Sequence, residues 1–567
     1  MAISIVTDSR SALMFALFSL LSVIADPLNA QEVSHGGHAH IGWLPAEILE
    51  RPVSQEKGIG KIHETVSTKS AQAQIFYDQG LAYLQSYVWI EAARSFHQAL
   101  RSDPQLAMAY VGLSYAYSPM DFAAASDALA IAQSMSEHMS ARERQRVHIR
   151  ELQLQAMANS GSTEPFAAFK QSLDEALAEF PGDEQFLLLR GNAEEANPFG
   201  DGQGCVPSAI PFYEKVLSSS AENFAANHFL THCYENSGRP QDALKFARLY
   251  VRLAPVIPHA HHMYGHVLRR TGGMLDAIAQ FKAADALELT YFKKNNFPPT
   301  VDWHHPHNLG LLASSYQFLG KMKQAEDLYR RAGSLTPYSD FDAFNRKDLC
   351  EFLLDRGRFA DALTAARALT DSTFPLARSA GHSLAGSALL GLNKPAEAAH
   401  ELELSEREAA VLPPSEGSAA RLPIAMLRAN LFMVQRSPEA PPLLQRIAKR
   451  INAENGPDAW IQGLYELERI NRVARQVGDW QVAAQFAQLM KGRAPEYAGA
   501  HYALALSAQH DGDAHGAETE FALAAKAWAN ADSNLSELRV VHEQGVRSVP
   551  RNPAGNMKGN AKGSAQP

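Results

Sequence analysis

A fixed spacing of 34 residues governs this chain. Residues 73–106 read AQIFYDQGLAYLQSYVWIEAARSFHQALRSDPQL. Numbered from one, Phe76 falls at position 4, Gly80 at 8, Tyr83 at 11, Ala92 at 20, Phe96 at 24, Ala99 at 27 and Pro104 at 32. The register returns over 224–257 with Leu230, Tyr234, Gly238, Ala243, Ala247 and Pro255. It returns again over 258–291 with Tyr264, Gly265, Leu268, Gly272, Ala277, Phe281 and Ala284, and over 306–339 with Leu312, Ala313, Tyr316, Gly320, Ala325, Tyr329, Ala332 and Pro337. Further copies fit 343–376, 379–412, 464–497 and 498–531, each with alanine at position 20: Ala362, Ala398, Ala483 and Ala517. Residues 107–140 form a more degenerate copy. A unit this short cannot bury its hydrophobic face alone, so successive copies must stack.

The pattern resembles the tetratricopeptide repeat, a helix–turn–helix unit. The resemblance implies an all-α fold, a TPR-like right-handed superhelical solenoid of antiparallel helix pairs. Small residues at positions 8 and 20 let the two helices approach closely, and large residues at 4, 11 and 24 fill the space between neighbours. Proline near position 32 ends the second helix before the next unit.

The rest of the chain is organised around these repeats. Residues 1–30 read as a signal peptide: Arg10 precedes an apolar run from Ala12 to Ala25, followed by Pro27 and the small residue Ala30. That run is short for a bilayer span; the alternative is an uncleaved N-terminal anchor. Residues 31–70 lack a helical period and make an extended His/Gly/Pro-containing segment. It carries SHGGHAH at 34–40, a composition shared by loose metal binders and solvated linkers. Repeats are expected over 71–411, with weaker phasing in the helices of 141–196 and with inserted loops near 197–208 and 290–305. A helical joint follows at 412–459, then C-terminal repeats at 460–547 and a disordered tail at 548–567.

Charge bounds the partners. Lys and Arg total 52 against 61 Asp and Glu, so 52 − 61 = −9, with no long basic block; this argues against nucleic acid. No segment after the signal approaches the roughly 20 apolar residues of a membrane span. The expectation is an exported chain, periplasmic or secreted, with no membrane span once the signal is removed. The three cysteines allow at most one disulfide, leaving one over.

In tetratricopeptide repeats the first helix of each unit lines a concave groove, chiefly through positions 2, 5, 9 and 12, and that groove usually holds a peptide or a protein. Here the resemblance puts His228, His232 and Glu235 at positions 5, 9 and 12 of one unit. It puts His262, His266 and Arg269 at the same positions of the next, and His307 at position 2 of the unit after, just beyond His304 and His305. Within each unit the two histidines are four apart, one turn along one helix face. Two adjacent helices therefore offer four histidines to one stretch of groove. Imidazole is a common ligand for zinc, copper, nickel and iron. His307, His304 or His305 could add a ligand or a second site, and Glu235 a carboxylate ligand or an orienter. The competing reading is duplication of a unit, with the rings hydrogen-bonding or packing and not converging on one point.

Nucleotide-binding loops, HExxH and GxSxG are absent from the sequence. Cys233 should face the core while His232 faces the groove, so the cysteine reads as structural. Two functions follow. One is an exported scaffold that binds a peptide or protein partner in its groove and requires no cofactor. The other is a metal-binding or metal-dependent protein using His228, His232, His262, His266 and His307. The sequence leans away from an enzyme.

Overall fold

The computed structural model describes residues 40–547 apart from 196, 198, 199, 201, 338 and 455. The signal segment, nearly all of SHGGHAH and the C-terminal tail lie outside the described residues; of that histidine tract only His40 is described, exposed on a short hairpin.

Helices follow one another as antiparallel pairs. Ala71–Leu84 packs on Trp89–Ser102, and Ala107–Tyr117 on Phe122–Ser134; Ala141–Ala158 and Thr163–Glu179 make the next pair. Glu184–Asn192 and Ile210–Ser219 are a pair parted by the glycine-rich loop. Three pairs then carry the histidines or their supports: Phe224–Asn236 with Pro240–Leu253, Pro258–Arg270 with Met274–Asn295, and His304–Phe318 with Met322–Gly333. The region expected as a joint contains Pro414–Val434 paired with Ala440–Ala453, and pairs continue through Pro457–Val477 with Trp480–Arg493 and Ala498–His510 with Ala514–Ala527. The architecture is an all-α helical repeat solenoid.

The small–large complementarity of the register is what closes each pair. Phe96 and Phe281, both at position 24, are fully buried. A Cβ on Gly80 would lie 2.5 Å from the Phe96 ring, and one on Gly265 would lie 2.7 Å from the Phe281 ring. Only glycine at position 8 leaves room for those rings. Position 15 turns the chain between the two helices in the left-handed region, and glycine occupies it at Gly238, Gly272, Gly320, Gly357, Gly478 and Gly512. Tyr87 and Asn393 hold the same position with φ 59° and 60°.

The second insertion starts later than the sequence suggests. The helix from Met274 continues to Asn295, with Phe292 buried, and ends at Asn296 in the left-handed conformation, so the connection spans only 296–303. Within it Trp303 stacks on Trp89 at 5.3 Å between ring centres, and its indole N–H donates to the Tyr87 carbonyl.

Residues 51–70 run without regular structure against several repeats. The Gly58 carbonyl accepts from the Val256 N–H, and Gly60 lies against the Phe224 ring. Glu64 is buried, accepts from the Tyr77 hydroxyl at 2.7 Å and pairs with Arg146 at 2.6 Å. At the other end the Pro457–Val477 helix crosses the inner helices: the Tyr465 hydroxyl donates to the Ser314 carbonyl at 2.6 Å, and Arg469 pairs with Asp355. The inner face near the histidines is thus covered by distant parts of the same chain.

Candidate metal centre

Local sequence explains how the histidines are presented. The Asn223 side chain caps the Phe224–Asn236 helix by accepting from the Ala226 N–H, and Ile257–Pro258 starts the next with proline at its first position. Both helices are set by their small-residue contacts before any histidine is considered. His228, His232, His262 and His266 are all buried.

The Nδ1 of His228 lies 2.8 Å from the Gln85 carbonyl, an acceptor, so Nδ1 carries the proton. Its Nε2 lone pair then faces His232 Nε2 at 3.1 Å and His259 Nε2 at 3.0 Å. Zinc–imidazole bonds of about 2.0–2.1 Å at tetrahedral angles would set ligand nitrogens about 3.3–3.4 Å apart. The nitrogens of His232 and His259 already stand within a few tenths of an ångström of that spacing from His228 Nε2, and all three lie within 4.8 Å of one another. Tyr87 covers them, its ring centre 4.7 Å from that of His228 and 5.0 Å from that of His259. A non-glycine residue at positive φ carries a backbone cost of order 1–3 kcal/mol, here spent at the face of the triad.

A second chain of hydrogen bonds fixes His262. Asn308 donates its amide N–H to the Phe281 carbonyl at 2.9 Å, which turns its Oδ1 toward His262 Nδ1 at 3.0 Å. The His262 Nε2 is again left as the bare lone pair. It belongs to a group with His266 and His307, and to another with His259 and His304; within each group the ligand atoms lie within 4.8 Å of one another. His228, His232 and His259 form a third such group.

Glu288 supplies a further orienting contact. It is fully buried, accepts from His304 Nδ1 through one oxygen and from His305 Nδ1 at 2.8 Å through the other. Burial pushes the carboxyl up, but His304 and His305 outweigh it and hold its pKa below the usual range. His304 Nε2 is buried with no hydrogen-bond partner. His305 turns away from the array: its Nε2 faces Arg331 at 3.5 Å, and Arg331 also pairs with Asp285.

Burial pushes the imidazoles strongly toward the neutral form. His232 is driven down to about 3, and His228, His259, His262 and His266 fall well below their ordinary value for the same reason, with neighbouring histidines or arginines adding to it. Neutral imidazole is the ligand form. Two carboxylates stand at the side away from Glu288: Glu235 lies 3.7 Å from His266 Nδ1, and Asp458 lies 3.8 Å from His307 Nε2. Glu235 also pairs with Arg270 at 3.5 Å, and burial raises its pKa above the usual carboxylate range against the pull of Arg270 and Arg269. Arg269 is buried 3.9 Å from Asp458.

The four phased histidines therefore do not converge on one point. They divide, His228 and His232 with His259, His262 and His266 with His307. His259 occupies position 2 of its unit, the position His307 holds in the next, so the register contained the signal that finds it. Glu288 lies on a second helix and Asp458 nearly 200 residues further along, and no spacing marks either as a neighbour of the array.

Two cavities flank the rings. One of about 460 Å³ is bounded by His232, His266, His307, Asp348 and Asp458. The other, about 340 Å³, is bounded by Tyr87, His304, Glu288 and Tyr291; His259 and Trp303 line both. The glycine-rich loop is tied to the site from behind: Cys205 is disulfide-bonded to Cys233, between His232 and Tyr234, leaving Cys350 free and buried.

The described helices repeat as antiparallel pairs on a 34-residue register. This is a tetratricopeptide-type repeat fold. A tetratricopeptide repeat protein from Parabacteroides merdae is similar at 15% identity and TM-score 0.33, over 49% of this chain and 98% of that one. A chain of the APC/C hetero-tetramer Cut9–Hcn1 gives 13% identity and TM-score 0.35, over 84% and 76%. YrrB, a TPR protein with an unusual peptide-binding site, gives 15% and 0.25, over 37% and 97%. No family model and no curated protein matches the sequence. Among the described residues, no helix is long and apolar enough to cross a membrane.

Proposed function

We propose that this chain is an exported repeat protein that holds a transition ion, zinc, copper, nickel or iron, in its buried histidine array. One observation carries the reading: His232 and His259 each bring a ring nitrogen to 3.0–3.1 Å from His228 Nε2, and the other nitrogen of His228 is tied to a backbone carbonyl. Bare imidazoles buried together with their lone pairs facing inward are costly without a cation or shared protons between them. Orientation of ligand histidines through Nδ1 is the usual support of such a centre, and Gln85, Asn308 and Glu288 supply it here.

The Cys205–Cys233 disulfide supports the exported part of the reading, since such bonds persist in oxidising compartments. The mature chain should begin at Gln31, which intact-mass measurement of the exported protein reads directly.

The groove positions that would serve an extended peptide in these units are buried beneath Tyr87, Trp303 and the Pro457–Val477 helix. A protein or peptide partner of the scaffold would dock elsewhere on it.

The test is elemental analysis of tag-free mature protein after dialysis, with X-ray absorption at the edge of the metal found. A retained ion with an imidazole-only or imidazole–carboxylate shell is expected. No retained metal, even after reconstitution, overturns the proposal.

A further inference from the structure

Resting on the metal reading, we propose that the array holds two ions at once in adjacent three-histidine pockets. The groups His228–His232–His259 and His262–His266–His307 have no member in common. The intervening group, His259–His262–His304, takes one histidine from each. Since His262 has one nitrogen committed to Asn308, it can give a lone pair to only one ion. A single ion in the middle group would therefore leave His228, His232, His266 and His307 without a metal. Two ions in the outer groups employ six of the seven rings and leave His304 as an additional donor.

His266 favours the second arrangement, in which the equally unpartnered His304 Nε2 remains as the additional donor. Both ring nitrogens of His266 are buried without a hydrogen-bond partner, and this residue has no place in the middle group. The rings that would belong to different ions are neighbours, His259 and His262 lying 5.6 Å apart between centres. The pockets thus adjoin without sharing ligands.

The pockets are also chemically unlike. Around His228 the neighbours are the rings of Tyr87, Tyr250 and Phe229. The His262 pocket has Glu235 and Asp458 at its edge, and the half-buried His307 opens on the larger cavity. Imidazole donors suit ions at the copper–zinc end of the first-row series. The second pocket, whose carboxylates are already paired with Arg270 and Arg269 and which has an open side, should exchange its ion faster than the first.

The experiment is metal stoichiometry of the full mature chain, loaded separately with Zn²⁺ and Cu²⁺, dialysed, and measured by elemental analysis and native mass spectrometry. Two ions per chain are expected. His228→Gln/His232→Gln should retain one, His266→Gln/His307→Gln should retain one, and the quadruple variant none. His304→Gln, the mildest change, should keep both. Helicity of each variant by circular dichroism guards against misfolding, and His304→Gln keeps the test decisive if the double variants fail to fold. One ion in the parent, lost in His304→Gln, places a single ion in the middle group and overturns this inference while leaving the metal reading intact. Any parent stoichiometry other than two, or ions that survive in the quadruple variant, overturns it as well. No ion in the parent overturns the metal reading itself.

Discussion

Breaking the Cys205–Cys233 bond is the perturbation whose effect can be worked most directly from the structure. The bond closes a loop with a sequence separation of 28. On the chain-entropy relation for disulfides, a loop of that length restricts the unfolded chain by about 3.6 kcal/mol at 25 °C. In the folded state the same loop has other ties: Asn236 donates to the carbonyls of Gln203 and Cys205, and the Gly202 N–H donates to Glu195. Those contacts survive reduction, so the folded loop should stay in place and most of the loss should come from the unfolded side. Denaturant unfolding of oxidised protein, reduced protein and Cys205→Ser/Cys233→Ser should show a fall of about 3–4 kcal/mol in the latter two, for the cooperative unit containing these helices. Thiol counting should give one reactive group in unfolded oxidised protein, Cys350, and three after reduction. Equal stability of all three samples, or three free thiols without reductant, would refute the reasoning.

Phe281 is fully buried against Gly265, His262 and His266, so Phe281→Ala should cost about 3–5 kcal/mol in denaturant unfolding; a cost below 1 kcal/mol would mean the pair is not closed by this ring. Asn308→Leu removes the amide oxygen that orients His262, and on the metal reading should weaken ion affinity roughly 10- to 100-fold in chelator competition. Metal-free protein should lose stability on acidification. The unfolded His232 titrates near 6.5 and the folded one near 3, so below pH 6.5 the unfolded chain gains the proton first. From pH 6.5 to 5 that residue alone should remove about 1.7 kcal/mol, a contribution missing in His232→Phe, whose slope should be correspondingly shallower; an unchanged slope would contradict it.

Much of this protein follows from its sequence. Alternating small and large residues at positions 8, 20 and 24 are a local code, because the two helices they join are adjacent in the chain; Gly80 against Phe96 and Gly265 against Phe281 are contacts 16 residues apart. The same register put His228, His232, His262 and His266 on neighbouring inner helices, since a repeat length sets both the stacking order and the face presented. Tertiary structure decided how those histidines divide. Neighbouring helices are offset by a helix-packing distance, so rings at equal positions do not meet at one point, and His259 from position 2 fills the space between. It also decided what covers and orients them. Gln85, Tyr87, Glu288 and Asp458 come from the first repeat, a second helix and a helix late in the chain, brought to the array by contacts between segments distant in sequence. Contacts of that range leave no period in a sequence, and they are the ones that make the inner face a buried centre instead of an open groove.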